Sequence, residues 1–355
     1  MLIIHLSSRV SSRVSKIMSH ITQSEIAKKL NVTRITVSKA LRNHPDISKE
    51  TKAKILKVAE ELNYTPNLIA KNLITQKTNT IGVVIPDLEN SFFAYAADSL
   101  IDASAEKNYN VFVTVSRENH QSEIKNIKNL LGMRVDGLLI CVSQQTYDIR
   151  IFEHIKNINV PLVFFDRQID GLGFPSVIFD DVNGALTALD QIIKNGFTKI
   201  AHFAGYSNVS VAKARKTGYT SALSNNGIEL KNDWVIEGGF EVKDGYNSFL
   251  KLFNSQNMPE IIFTVNDRVA LGSYKAAAEC GLRIPDDIGI VGFGFNETAQ
   301  SFSPSLAIIN QDPRNLGNRA TELLISLING TETNREQNII INEEFLWNDS
   351  IRRNK

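Results

Sequence analysis

The sequence predicts a small all-α domain followed by a much larger α/β body of two subdomains. Residues 22–73 carry the caps and the apolar spacing of several short helices. From residue 80 onward, short apolar runs alternate with helical stretches, which is typical of parallel sheets covered by helices on both faces. The length of 355 residues also favours two or three domains over one.

Charge is divided unevenly between these two parts. Residues 1–78 hold 14 Lys and Arg against 5 Asp and Glu, whereas the remainder holds 25 basic and 33 acidic residues. The overall net charge of +1 therefore hides a basic N-terminal module on an acidic body. This division predicts a polyanionic partner that only the module contacts, although a solvated basic face would give the same count.

The composition also limits the compartment and the cofactors. The chain has only two cysteines, Cys141 and Cys280, and no cluster of cysteine and histidine. We therefore expect a reducing, cytoplasmic location with no cofactor and no metal. No apolar run is long enough for a membrane span, and no secretory leader is recognisable. Residues 1–19 are predicted to be a disordered extension, and translation could begin at Met1 or at Met18.

The N-terminal domain, residues 20–65, has the helix order of a helix-turn-helix. Thr22 and Glu25 have the spacing of a capping box, and Thr33 and Ser48 can cap the second and third helices. In this motif the second helix lies in the major groove of DNA. The residues predicted on its outward face are Arg34, Ile35, Ser38 and Lys39.

These outward side chains have the chemistry that base edges and phosphates require. Arg34 can donate two hydrogen bonds to a guanine, and Ile35 can contact the methyl group of a thymine. Thr36, Ser38 and the backbone amides at the helix start suit phosphate oxygens. Any small helical bundle has similar apolar spacing, so the pattern alone leaves DNA binding open.

Residues 66–78 are predicted to be a hinge helix and linker. Pro66 ends the preceding helix because the residue before a proline avoids the helical region. The segment from Asn67 to Leu73 could form one or two helical turns, but so short a helix is marginal in isolation. It would need DNA or a second copy of the chain to form.

Four successive motifs resemble the LacI/GalR repressor family: VTRITVSKALRN, HPDISKETKAKIL, LNYTPNLIAKNL and TIGVVIPDLENSFF. The resemblance extends from about residue 20 to residue 351. It implies a sequence-specific transcriptional repressor that binds a pseudo-palindromic operator DNA as a homodimer. A small-molecule effector, by family expectation a sugar or sugar derivative, would control operator affinity as inducer or co-repressor.

The same resemblance implies which residues contact DNA. Arg34, Ile35 and Lys39 would read the operator, and Leu73 would wedge into the minor groove with Ala70 beside it. Leu73 could instead be an ordinary linker leucine. The predicted DNA-binding residues are Thr22, Thr33, Arg34, Ile35, Thr36, Ser38, Lys39, Asn67, Ala70 and Leu73.

Residues 79–355 are predicted to be the effector-binding and dimerisation core. The first subdomain has strand candidates at 81–85, 111–115, 137–141 and 162–165, and the second at 200–204, 234–237, 261–265 and 288–291. The resemblance implies a periplasmic-binding-protein-like fold. In that fold the first subdomain would comprise about 79–179 plus 305–335, and the second about 180–304 plus the C-terminal strands.

Ligands of such folds sit beyond the carboxyl ends of the strands, where several polar and aromatic residues occur. Aromatic faces beside acid, amide and guanidinium groups suit a polyhydroxylated ligand, since each hydroxyl both donates and accepts. Arg215 could instead pair with a carboxylate or phosphate of the ligand. Matched to the family, the residues of the effector cleft are Phe92, Phe93, Asp166, Arg215, Asn266 and Gln311, and Phe293 is added to the predicted effector-binding set as a substitute for a missing family residue.

Structural interpretations of these and neighbouring residues remain open. Phe92 and Phe93 could be helix-packing residues, and Asp166 could form a structural ion pair with Arg215. Asp267 is interpreted as the cap of the following helix. A second group is also interpreted as a helix cap: Asp181 and Asn183.

Three positions depart from the family pattern. Gly294 stands where many relatives carry an aspartate that contacts effector, so Phe293 or Asn296 could take over part of that role. Gln191 replaces a common histidine, and Asn348 replaces a common arginine. These departures leave the ligand open.

No catalytic motif is recognisable in the chain. The sequence GIVGFG lacks the full order of a dinucleotide-binding loop, and no nucleophile–base pair suggests itself. We therefore predict that the protein is not an enzyme. The alternative from another class is a solute-binding protein of a transporter, which would share the core fold but predicts a signal peptide and no DNA module.

Overall fold

The computed structural model describes residues 21–65, 77–332 and 338–352. The chain forms two compact units, Met1–Lys77 and Thr78–Lys355. The predicted extension and the predicted hinge residues Asn67, Ala70 and Leu73 lie outside the described residues.

The first unit contains three helices: α1 Gln23–Leu30, α2 Arg34–Leu41 and α3 Lys49–Glu61. Each begins at the predicted cap. Thr22 and Glu25 form the capping box, in which the Thr22 backbone N–H donates to Glu25 Oε2 at 2.6 Å. The hydroxyls of Thr33 and Ser48 each accept a backbone N–H three residues later. Asn31, at a left-handed φ of 53°, ends α1 and turns the chain toward α2.

A small apolar core holds these three helices together. Ile26, Val37 and Ile55 are almost fully buried, one from each helix. The complete set of buried apolar residues is Ile26, Ala27, Val37, Ala40, Ile55, Val58 and Ala59. Since alanines occupy several contact positions, the helices can approach closely across short turns.

The second unit contains two sheets of six strands among the described residues. In chain order the strands are β1 Thr80–Ile85, β2 Asn110–Val115, β3 Gly137–Ile140, β4 Leu162–Phe165, β5 Ser176–Phe179, β6 Ile200–Ala204, β7 Val235–Glu237, β8 Ile261–Thr264, β9 Gly289–Gly294, β10 Ala307–Asn310, β11 Asn338–Ile341 and β12 Glu344–Leu346. The first sheet has the order β11-β5-β4-β3-β1-β2, and the second β12-β10-β9-β8-β6-β7. All pairings are parallel except that of β10 with β12.

Helices cover the faces of both sheets. On the first they are α4 Ser91–Glu106, α5 His120–Gly132, α6 Arg150–Asn157 and α12 Pro313–Asn329. On the second they are α7 Asp181–Lys194, α8 Ser210–Asn225, α9 Val242–Asn254, α10 Asp267–Glu279 and the short α11 Asn296–Ala299. Every residue of β1 and of β9 is buried, as expected for parallel strands covered on both faces. None of the described helices combines the length and apolarity needed to cross a membrane.

The chain passes between the two sheets three times. The first crossover joins β5 to α7 at Asp180, the second joins β10 to α12 at Gln311, and the third joins β11 to β12 at residues 342–343. The backbone N–H of Asp180 donates to the carbonyl of Ile341 at 3.0 Å, which ties the first crossover to the third.

The predicted subdomain boundaries differ from these crossovers. Strand β10, within the predicted 305–335 return, belongs to the second sheet, and only α12 packs on the first. Strand β11 belongs to the first sheet rather than to the C-terminal strands of the second. Short apolar strands look alike in sequence, because sheet membership depends on pairing with residues far away in the chain.

Candidate functional site

Helix α2 presents a polar surface with one exposed apolar side chain. Val37 and Ala40 face the core, whereas Arg34 and Ile35 lie on the solvent side, and Ile35 is 70% exposed. Exposing this isoleucine side chain to water does not stabilise the isolated domain. A partner surface with an apolar group, such as a thymine methyl, would account for it.

The other predicted contacts of this unit are held by intramolecular hydrogen bonds. Thr33 and Thr36 join through their hydroxyls at 2.9 Å at the start of α2. Lys39 Nζ lies 2.7 Å from Asp46 Oδ2, and Ser38 Oγ accepts from Arg42 Nη2 at 3.2 Å. These bonds orient the solvent face of the helix and leave further donors on the Lys39 ammonium, which has three N–H groups.

The second unit has a cavity of about 40 Å³ between its two sheets, beyond the carboxyl ends of the strands. It lies after β1, β4, β8, β9 and β10, and residues of both subdomains form its wall. All seven predicted effector-binding residues line it: Phe92, Phe93, Asp166, Arg215, Asn266, Phe293 and Gln311. The cavity wall thus contains predicted residues that are up to 219 positions apart in the chain.

Arg215 is fixed by three hydrogen bonds and one aromatic ring. Its Nε donates to Asp181 Oδ1 at 2.7 Å, Nη1 to the Val265 carbonyl at 2.6 Å, and Nη2 to Gln311 Oε1 at 3.0 Å. The guanidinium carbon stands 4.1 Å from the centre of the Phe293 ring. Protein groups therefore already occupy most of its donors.

Two structural interpretations from the sequence are wrong here. The carboxylate partner of Arg215 is Asp181, not Asp166. Asp181 is also not a helix cap. Asp180 has that role and accepts the backbone N–H of Asn183, because the cap side chain must precede the first helical residue.

Arg167 is a cavity residue that the sequence did not single out. Its guanidinium lies between the rings of Phe93 and Phe240, at 5.5 and 5.0 Å, and Nη1 pairs with Glu118 Oε1 at 2.8 Å. Its buried Nε has no hydrogen-bond partner among the described residues and stands 3.8 Å from Asp166 Oδ2. The sequence signal that could have identified Arg167 is its position directly after β4, next to Asp166.

Asp166 itself has an unusual backbone. Its φ of 59° lies in the left-handed region, which costs a non-glycine residue free energy and recurs at functional sites. Burial raises the pKa of its carboxyl to about 6, opposed by the charges of Arg167 and Arg215. Cys141 Sγ, 3.7 Å away, is its hydrogen-bond donor.

Asp267 is, like Asp166, a buried carboxyl group of the cavity whose pKa is raised. Asn266 rather than Asp267 caps α10, because its side chain accepts the Val269 N–H at 2.8 Å. Asp267, the first helical residue, is thereby directed to the cavity wall. Burial raises its pKa to about 6, opposed first by a hydrogen bond from the Arg268 backbone.

Gly294 makes room for this carboxyl group. A Cβ atom on Gly294 would lie 3.0 Å from Cβ and 3.1 Å from Cγ of Asp267. The Asp267 carboxyl group therefore lies beside the position at which the family pattern predicts an aspartate. Asn296, which the sequence suggested as a substitute, lies away from the cavity, and Phe293 packs against Arg215.

The other two departures also lie elsewhere. Gln191 and Asn348 line, together with Asn296, a separate depression on the surface of the second subdomain. Their replacement therefore has no direct bearing on the cavity. Phe92 and Phe93 serve both in packing and in the cavity wall. Their ring centres lie 5.5 Å apart, and both side chains line the cavity.

Contacts between the two subdomains surround the cavity. Asn208 Nδ2 donates to the Gln144 carbonyl at 2.8 Å, and Arg268 Nη1 lies 3.7 Å from Asp87 Oδ2. Arg314 pairs with a glutamate of the second subdomain at 3.1 Å. Because the cavity volume is only about 40 Å³, a sugar-sized ligand would fit only with the two subdomains further apart.

Two family models match the chain. The model described as "Bacterial regulatory proteins, lacI family" matches residues 22–67, and that described as "Periplasmic binding proteins and sugar binding domain of LacI family" matches residues 78–348. The chain belongs to the LacI family. Together the two matches cover the three-helix unit and nearly all of the two-sheet unit.

Several LacI-family relatives are similar over almost their whole length. The probable HTH-type transcriptional repressor ExuR of Bacillus subtilis is 35% identical over 337 residues, covering 94% of this chain and 99% of that protein. Catabolite control protein A of Priestia megaterium is 30% identical, covering 87% and 93%. The solved lac repressor dimer bound to operator and an anti-inducer has a TM-score of 0.84 at 26% identity, covering 93% of this chain and 98% of that chain.

These similarities confirm the predicted fold class and the predicted function. The protein is a DNA-binding transcriptional regulator with an effector-binding core, and the transporter-type alternative is not favoured. The individual DNA-contact and effector-contact residues stay predictions.

Proposed function

We propose that this LacI-family regulator is a repressor whose affinity for operator DNA changes when a neutral, polyhydroxylated ligand binds between the two sheets. The observation that carries the ligand class is the charge balance of the cavity. Glu118 neutralises Arg167 and Asp181 neutralises Arg215, which leaves Asp166 and Asp267 as excess acceptors.

A sugar-like ligand fits this balance better than an anion. Its hydroxyls can donate to the carboxylates while accepting from amide and guanidinium groups, and its apolar faces can lie against the phenylalanine rings. An added carboxylate or phosphate would instead meet two buried acidic groups whose desolvation is already unfavourable. The likeness to a solved CelR–cellobiose complex, at 22% identity, concerns the fold alone.

The DNA side of the proposal rests on α2. Arg34 and Ile35 are exposed on the outer face of a helix whose inner face is fixed by the domain core. As a homodimer the protein would place two such helices on a pseudo-palindromic site, so that protein and operator share a two-fold axis. In this role the protein acts in the cytoplasm, by binding and without catalysing a reaction.

Ligand control requires different affinities in two states. Only a ligand that binds one arrangement of the subdomains more tightly can shift the population that is competent for DNA. The wider separation of the subdomains that a sugar-sized ligand requires supplies two such arrangements. Inducer and co-repressor action differ only in which arrangement binds operator.

A thermal-shift screen on the full-length protein tests the ligand class. The set contains neutral mono- and disaccharides, uronates, sugar phosphates and purines. A ligand at 100 times its dissociation constant adds about 2.7 kcal/mol to the free energy of unfolding. We expect the largest shifts from neutral sugars, and a stronger response to uronates or phosphates would refute the charge argument.

Two variants and a DNA assay complete the test. Asp267→Asn should abolish the thermal shift, whereas Asp233→Asn, on the exposed surface of the second subdomain, should keep it. The active sugar is then added to the protein bound to a fluorescent operator fragment, and anisotropy is measured. No change in DNA affinity at saturating sugar would contradict effector control.

A further inference from the structure

The three crossovers between the sheets share one polar cluster, formed by Asp181, Arg215, Gln311 and Glu343. Asp181 begins α7 directly after the first crossover, Gln311 follows β10 at the second, and Glu343 lies at the third. Arg215 reaches the cluster from α8 and also lines the cavity. We propose that Glu343 is a positioning residue, which acts through Gln311 to fix Arg215 and to join all three crossovers.

Gln311 is the centre of the cluster. Its Nε2 donates to Asp181 Oδ1 at 3.0 Å and also to Glu343 Oε1. Its Oε1 accepts from Arg215, so the amide orientation is determined on both sides. Since the amide has only two N–H groups, losing Glu343 leaves one of them without its acceptor.

Strand pairing already places the third crossover beside the other two, because Ile341 pairs with Phe179 and Glu344 pairs with Asn310. The Asp180 N–H to Ile341 carbonyl bond ties the first to the third. The bonds of Gln311 to Asp181 and Glu343 add a side-chain connection between the second crossover and both of the others. Motion of the subdomains must pass through these segments, so Glu343 is placed to influence it.

Glu343 fills a space that a glycine leaves open. A Cβ atom on Gly184, in the first turn of α7, would lie 1.9 Å from Glu343 Oε2. This oxygen is shielded from solvent and has no hydrogen-bond partner among the described residues. A charged oxygen in that position would be strongly disfavoured, because it would lose its hydration without compensation.

The surrounding charges also favour a neutral Glu343. Asp181 and Asp180 face it from the start of α7, and Arg215 is the cation facing it from α8, already paired with Asp181. Burial, and then the charge of Asp181, raise the pKa of Glu343 to about 9. At neutral pH the cluster therefore holds one ionised carboxylate against one guanidinium, with Glu343 protonated.

Hydrogen–deuterium exchange of the full-length protein tests the positioning role without any ligand. Glu343→Ala should speed exchange of the Gln311 and Asp180 amides by about tenfold, the effect of losing one buried hydrogen bond. Glu343→Gln preserves the shape and the neutral charge, so its exchange should match the wild type. Glu344→Gln, an exposed neighbour in β12, is the matched control and should change nothing.

A pH series provides a second measurement, which does not need the alanine variant. A carboxyl group whose pKa is raised on folding loses stability as pH rises from its unfolded value toward its folded value. The ratio of unfolding equilibrium constants, wild type over Glu343→Gln, should therefore rise close to tenfold per pH unit between pH 5 and pH 8. A flat ratio would overturn the neutral assignment.

The exchange data have two outcomes that overturn the positioning role. One is faster exchange confined to residues 339–345, which would make Glu343 a local packing residue. The other is equal acceleration by Glu343→Gln and Glu343→Ala. We also expect Glu343→Ala to weaken sugar binding, and this expectation alone rests on the proposed function. If sugar binding is unchanged while the exchange results hold, the positioning role stands and the proposed function is contradicted.

Discussion

Replacing Arg215 by alanine should destabilise the core far more than a typical surface change. The substitution removes donors from Asp181, Gln311 and the Val265 carbonyl, and the cation from the Phe293 ring. Asp181 is buried and would keep a negative charge with only the Gln311 amide as donor. The loss therefore comes mainly from a stranded charge.

The magnitude follows from that stranded charge. Removing one member of a buried ion pair costs about 3–5 kcal/mol, and loss of the cation–π contact adds about 1 kcal/mol. We expect a total of about 5 kcal/mol, which corresponds to a fall in Tm of roughly 10 °C for a domain of this size. Lys216→Ala on the same helix removes an exposed ion pair with Glu237 and should cost less than about 1 kcal/mol.

Urea unfolding followed by circular dichroism measures both variants. Asp181→Asn combined with Arg215→Ala should recover part of the loss, because the double variant strands no charge. The deficit of Arg215→Ala should also be larger at pH 8 than at pH 5, since a protonated Asp181 needs no cation. A deficit below about 1 kcal/mol, or one that does not depend on pH, would refute this account.

Three further predictions concern the two units separately. Arg34→Ala should cost about 1–3 kcal/mol of operator affinity and relax the preference at one base pair in anisotropy titrations, whereas a uniform loss over all sequences would identify a phosphate contact. Ile26→Ala, at a fully buried position, should destabilise the three-helix unit by about 2–5 kcal/mol and abolish DNA binding while sugar-induced thermal shifts of the core persist. Asp267→Asn should gain about 2 kcal/mol of stability over the wild type between pH 4 and pH 7, since a folded pKa of about 6 against an unfolded value of 3.8 lowers wild-type stability over that range. Urea unfolding at pH 4 and pH 7 measures the stability difference between the two proteins, and a difference that is equal at both pH values would contradict the prediction.

Local signals in the sequence located the elements of the fold well. The caps at Thr22, Thr33 and Ser48 act on residues three positions away, so neighbouring sequence is enough to predict them. The runs that became β1 and β4 are apolar throughout because helices cover both faces of the sheet. Strand ends and the family resemblance together led to the cavity residues, because parallel strands place their carboxyl ends at one edge.

Partners that are distant in the chain could not be predicted in the same way. Asp181 and Glu343 join Arg215 and Gln311 only after the sheets have formed, and nothing in their neighbouring sequence indicates it. The same applies to Glu118, which holds Arg167 from 49 positions away. Local sequence suggested helix caps at Asp181 and Asp267, whereas tertiary contacts determined their position.

The three crossovers determine when the core can be completed during synthesis. Strand β11 pairs Asn338 with Ser176, so the first sheet gains its edge strand only after about residue 341 has left the ribosome. The second sheet likewise gains its edge strand only with β12, whereas the described apolar core of the three-helix unit comes from residues 21–64. A nascent or C-terminally shortened protein would therefore possess a folded DNA-reading unit before it possesses a complete sensor.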